Sequence, residues 1–142
     1  MVVVDTSVAF KWFASDKEDH LPKALLLLKN HLDKKEPILV PDMIVYELAN
    51  AFTTKTKLTA GEIRIFLADL ETIRLTIKPI TIPLVTKASE FAKKYKTTVY
   101  DAFYAVLAEE KKCYLITADL QFIKQVRLPF VKHVSEYSRS TK

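Results

Sequence analysis

Short runs of β-branched and aliphatic residues, too brief for helices, recur along this chain with much longer helical stretches between them. Val2 to Val4, Ile38 to Val40 and Tyr114 to Thr117 read as buried strands, Leu75 to Ile77 as an alternating one, and Phe130 to Val134 as the last. A first short helix is expected from Ser7 to Phe13. Pro22 opens a second, with Leu21, Leu25, Leu28 and Leu32 on one face. Asp42 is placed to cap a third, whose apolar stripe includes Ile44, Leu48 and Phe52. Thr59 and Glu62 have capping-box spacing and start a fourth; Pro83 precedes a fifth, from about Leu84 to Lys94. An apolar helix follows Thr97-Thr98, and Leu120 to Val126 is a short final one. Strands alternating with helices predict an α/β domain: a three-layer α/β/α sandwich with a mostly parallel sheet of about four to five strands.

A length of 142 residues suits one domain, expected over residues 1–137 with a polar tail at 138–142. With 49% hydrophobic residues the chain has apolar surface for a core, which excludes a disordered tail. No aliphatic stretch is long enough to cross a bilayer, so no membrane association is expected. The N-terminus lacks the basic region and long apolar core of a secretory signal, which makes the cytoplasm the expected location. One cysteine, Cys113, rules out an internal disulfide framework and a thiolate zinc site, and the histidines lack metal-ligand spacing. A single glycine excludes the Gly-rich phosphate loops of nucleotide-binding proteins. The net charge of +5 permits a polyanionic partner without requiring one.

Function in such a fold gathers where strands end and helices begin. Asp5 stands directly after the first strand and Asp119 after the fourth. If those strands are parallel neighbours, both carboxylates emerge at one rim of the sheet. Asp101 falls in the first turn of the apolar helix, and Glu47 lies one turn into the helix after the second strand. Each has an ordinary reading: Asp5, Asp101 and Asp119 as helix caps or dipole partners, Glu47 as a solvent-facing side chain. Together they ask for more. Two carboxylates ~4 Å apart repel by about 4 kcal/mol at an effective dielectric near 20, so a converging set calls for a cation. Oxygen ligands select Mg²⁺ or Mn²⁺ rather than zinc. Ser7 and Thr117 add hydroxyls beside two of the acids, and a site of this kind suits phosphodiester hydrolysis. Lys11 and the Lys93 to Lys96 cluster are candidates for tracking a polyanionic backbone, and Tyr100 or Trp12 for stacking on a base.

These residues, taken in order, resemble the PIN-domain ribonucleases, and among them the toxin members of VapBC toxin–antitoxin pairs. The resemblance rests on Val3-Val4-Asp5-Thr6-Ser7, on Pro41 through Tyr46-Glu47-Leu48-Ala49-Asn50, on Tyr100-Asp101-Ala102 and on Leu115-Ile116-Thr117-Ala118-Asp119. It implies metal binding by Asp5, Glu47, Asp101 and Asp119 with support from Ser7 or Thr117. It further implies Mg²⁺- or Mn²⁺-dependent endonucleolytic cleavage of RNA by metal-activated water, a homodimer, and silencing by a cognate antitoxin. The sequence departs from the family pattern at Gln121, where many relatives carry another acid, which is compatible with a one-metal resting state.

Two other classes stand against that expectation. A phosphoacceptor regulatory domain of doubly wound fold would use Asp42, Thr117 and Lys132, yet such a site calls for adjacent acids after the first strand, and Asp5 is followed by Thr6. A catalytically idle binding module on the same fold is the third reading.

Overall fold

The computed structural model describes residues 1–14 and 16–138, so most of the expected tail lies outside the described residues. The elements are β1 (Val2–Val4), α1 (Thr6–Ala9), a 3-10 turn (Phe10–Trp12), α2 (Leu21–Leu32), β2 (Ile38–Pro41), α3 (Met43–Thr54) and α4 (Ala60–Ile73). The second half comprises β3 (Thr76–Lys78), α5 (Ile82–Tyr95), α6 (Val99–Glu110), β4 (Tyr114–Thr117), α7 (Leu120–Val126), β5 (Val131–His133) and a second 3-10 turn (Val134–Glu136). The sheet has five strands in the order β3-β2-β1-β4-β5, and every pairing is parallel. Right-handed crossovers place the helices joining β1 to β3 on one face and those joining β3 to β5 on the other. The result is the three-layer α/β/α sandwich expected from the alternation of elements.

Val3 and Val4 of β1 are wholly buried, as are Ile38 and Val40 of β2, because both strands are covered on two sides. On one face α6 packs against β1, β2 and β4 and carries α5 on its outer side. Every residue of α6 from Ala102 to Ala108 is buried, which accounts for a helix with so little polar surface. No helix among the described residues is long and apolar enough to cross a membrane.

Three local expectations shift. The first helix begins one residue early, at Thr6, and tightens into the 3-10 turn at Phe10. In α2 the buried face is Ala24, Leu27 and Asn30, whereas Leu25 and Leu32 are exposed. Residues 25 to 28 are all leucine, so periodicity alone leaves the orientation open; hydrogen bonds decide it. Asn30 Nδ2 donates to the Tyr137 hydroxyl at 3.0 Å, and Trp12 Nε1 donates to the Ala24 carbonyl at 2.9 Å. Asp42 does not cap α3: its backbone is already helical, and its Oδ2 instead accepts from the Ile80 amide at 3.4 Å. A capping side chain needs extended backbone, which β2 uses up through Pro41. The Thr59–Glu62 capping box forms in full.

The scarcity of glycine has a structural consequence. The single glycine, Gly61, lies inside α4, so among the described residues left-handed backbone falls to seven others. Arg74, Lys96 and Arg127 are helix C-caps in that conformation, where a Cβ is disfavoured. Arg74→Gly is therefore expected to stabilise the protein by about 0.5–1 kcal/mol, read as a higher urea midpoint at unchanged m.

Candidate active site

The strand order reverses between β1 and β4, so the crevice beyond their carboxyl ends is the topological switch point. Val4 pairs with Ile116, which sets Asp5 beside Thr117 one residue on. Asp5 caps α1, accepting from the Val8 amide at 3.3 Å. The ordinary reading of Asp5 as a cap is thus correct, and incomplete. The Ser7 hydroxyl donates to its Oδ1 and the Thr117 hydroxyl to its Oδ2. Those hydroxyls also tie the two strand ends together: Ser7 Oγ accepts from the Ala118 amide at 2.9 Å, and Thr117 Oγ1 from the Asp119 amide at 3.0 Å. One carboxylate orders both loops.

Glu47 reaches the same edge from α3, half-buried. Its Oε1 accepts from Thr6 Oγ1 at 2.9 Å and from the Tyr104 hydroxyl, which itself lies 3.0 Å from Thr6 Oγ1. Tyr104 is 2% exposed, and burial together with the negative charge of Glu47 holds its phenol well above the usual range, fixing it as a neutral donor. Asp101 sits in the first turn of α6, whose actual cap is Thr98; the Thr98 hydroxyl accepts from the Asp101 amide at 3.1 Å. Asp119 caps α7, accepting from the Phe122 amide at 3.0 Å, and is exposed.

Charge coupling links the four through Asp101. Burial pushes the Asp5 carboxyl up to about 6; the Ser7, Thr117 and Val8 hydrogen bonds oppose that rise, and the charge of Asp101 adds to it. Asp101 is raised by burial first, with the charges of Asp119 and Glu47 adding to it. None of the four is in an ion pair among the described residues. Their negative charge is left uncompensated. The carboxylates share an edge without converging on one point: among the described residues no three His, Cys, Asp or Glu side chains are disposed to hold an ion as they stand. As a donor set, oxygen throughout and anionic in excess, they fit a hard divalent cation.

A groove of about 440 Å³ opens beside the acids, lined by Thr6, Ser7, Glu47, Lys11, Glu18 and Lys55 among others. The remaining candidates divide. Lys11 is in this groove, and Tyr100 is exposed beside Asp101. Trp12 is committed to α2, Lys93, Lys94 and Lys96 form a solvated surface, and Lys132 lies over the Tyr114 ring at the other end of β4. Asp42, Thr117 and Lys132 therefore make no common site. Thr6 and Tyr104, the partners of Glu47, were missed from sequence; the three-residue spacing from Asp101 to Tyr104, one helical turn, was the available signal.

The sheet is doubly wound and parallel, with coupled carboxylates beyond the strand ends at its switch point. The chain belongs to the PIN domain family, a family of nucleases, which it matches over residues 2–128. Its fold is similar to that of a toxin–antitoxin complex from Klebsiella pneumoniae, at TM-score 0.69 and 17% identity, covering 96% of this chain and 100% of that one. It is also similar to PAE2754 from Pyrobaculum aerophilum, at TM-score 0.65 and 22% identity over 94% of this chain and 90% of that one. VapBC2 from Rickettsia felis, bound to a DNA fragment from its promoter, gives TM-score 0.62 and 18% identity over 94% and 98%. No curated protein matches the chain.

The raised Asp5 carboxyl makes a signed prediction for protein held in chelator. Its folded pKa of about 6 exceeds the ordinary value of 3.8, so the unfolded chain gives up this proton first as pH rises. Stability is therefore lost between those two values, by about 3 kcal/mol in all, and the loss is complete above the higher one. Asp5→Asn should be more stable than wild type at neutral pH, and the difference should vanish near pH ~4 in paired urea melts.

Proposed function

We propose that this protein is an endoribonuclease that hydrolyses phosphodiester bonds in RNA with Mg²⁺ or Mn²⁺ as cofactor, and that it is the toxin of a toxin–antitoxin pair. The observation that carries the reading is the uncompensated set of coupled carboxylates at the switch point of a PIN-family chain. Asp5, Asp101 and Asp119 would hold the ion, with Glu47 binding directly or through water. A divalent ion bound there supplies Lewis acidity to the phosphodiester and lowers the pKa of an attacking water.

The other side chains hold the acids in place. Ser7 and Thr117 engage both oxygens of Asp5, so that carboxylate cannot rotate freely. Thr6 and Tyr104 fix Glu47 through one oxygen. Such outer partners orient ligands and raise metal affinity. The positive net charge favours a polyanionic substrate once the local negative charge is met. The toxin assignment is supported by the fold shared with the Klebsiella protein, whose name describes a toxin–antitoxin complex, and with VapBC2 from Rickettsia. In this reading the protein acts in the cytoplasm as a homodimer, and a cognate antitoxin silences it.

The test is incubation of the purified chain with structured RNA in Mn²⁺ or Mg²⁺ and in chelator. Internal cuts with 5′-phosphate ends that disappear in chelator are expected, together with a Mn²⁺-dependent rise in Tm. Asp5→Asn and Asp101→Asn should fold and lose cleavage to background. Mn²⁺ stabilisation without cleavage would instead identify a binding module. Tyr104→Phe keeps the packing but removes the donor to Glu47, and should lower kcat/KM or metal affinity by about 10–100-fold in metal titrations.

A further inference from the structure

Lys11, in the middle of the 3-10 turn, is 5% exposed: an ammonium held inside the protein. Its Nζ donates to Glu18 Oε2 at 3.0 Å, the one ion pair it makes among the described residues. A buried ion pair contributes little over well-packed apolar side chains of similar size, so stability gives no reason for this one. Its position does. Both residues line the groove that also holds Thr6, Ser7 and Glu47, and Lys55, the C-cap of α3, lines the same groove. A polyanion drawn toward four carboxylates is repelled. An ammonium shielded from water and salt offsets that repulsion more effectively than an exposed lysine.

Glu18 is the less buried partner, with its side chain 27% exposed in the loop between the 3-10 turn and α2. It offers Lys11 an anionic oxygen at the groove wall, which is what a phosphate would offer.

We infer that Lys11 binds a non-bridging oxygen of an RNA phosphate neighbouring the one to be cut, and that Glu18 occupies this position until RNA displaces it. The inference rests on the nuclease reading of the adjacent acids and assigns that site a substrate contact. Lys11 holds the backbone in register and takes no part in bond breaking. Glu18 competes with substrate, so the two residues have opposite effects on binding although they form one pair.

The experiment uses the full chain and a fluorescent single-stranded RNA oligonucleotide of degenerate sequence, titrated in chelator over a range of salt. Lys11→Gln should weaken binding about tenfold and reduce the slope of log affinity against log salt by about 0.7, one phosphate contact on a single strand. Lys11→Arg should restore most of both. Glu18→Gln should tighten binding several-fold. In Mn²⁺, Lys11→Gln should raise KM and leave kcat within about threefold. A merely structural pair predicts a lower Tm for both variants with affinity and salt slope unchanged, and that result overturns the inference. If Lys11→Gln does not fold, Glu18→Gln decides: no gain in affinity overturns it as well. RNA bound in this Lys11-dependent way but left uncut by wild type would overturn the nuclease reading and leave the phosphate site standing. Cleavage with an unmoved salt slope would do the reverse.

Discussion

The parallel pairing of β1 with β4 is the constraint on which the rest of the carboxyl edge depends. Its register sets Asp5 level with Thr117, and from that single alignment follow the Thr117 hydroxyl bond to Asp5 and the Ala118 amide bond to Ser7. Short polar segments after the strands thereby become one ordered unit. A slip of one residue would turn Thr117 to the other face of the sheet and remove the cross-strand donor from a half-buried carboxylate.

Against this ordering stands electrostatic repulsion. The charge of Asp101 adds to the raised pKa of Asp5, those of Asp119 and Glu47 add to that of Asp101, and the hydrogen bonds from Ser7, Thr117 and Val8 only partly offset the burial of Asp5. The fold tolerates the arrangement because the hydrophobic layers beneath it are nearly continuous: β1, β2 and α6 are buried almost throughout. Local instability at the edge is carried by packing elsewhere, as is common where a site is pre-organised for a charged ligand. The buried Lys11 extends the same logic into the groove, with Glu18 balancing a charge that the core alone would not accommodate.

The elements and their order were legible because apolar runs of strand length and helical stripes differ in period. The Thr59–Glu62 box was read correctly since a capping box is satisfied within four residues of chain. Asp5, Glu47, Asp101 and Asp119 were singled out by their placement after strands or in early helical turns, and charge coupling through Asp101 links them at the carboxyl edge. What stayed hidden depended on partners distant in sequence. Asp42 looked like a cap until β3 and its exit supplied the Ile80 amide. The leucines of α2 allowed several orientations until Tyr137, more than a hundred residues away, claimed Asn30. Tyr104 and Thr6 are ordinary residues whose role exists only because α3, α6 and α1 bring three oxygens together.

By itself the sequence determined the α/β class, the succession of elements, the absence of a glycine-based phosphate loop and the supply of acids at strand ends. These follow from local periodicity, backbone preference and composition, each decided within a few residues. Tertiary structure decided which strands are neighbours, which face of α2 is inward, which hydroxyls hold each carboxylate, and that Lys11 is buried against Glu18 in the groove beside them. Burial and Coulomb coupling are properties of residues brought together across the chain, and only the folded arrangement sets those distances.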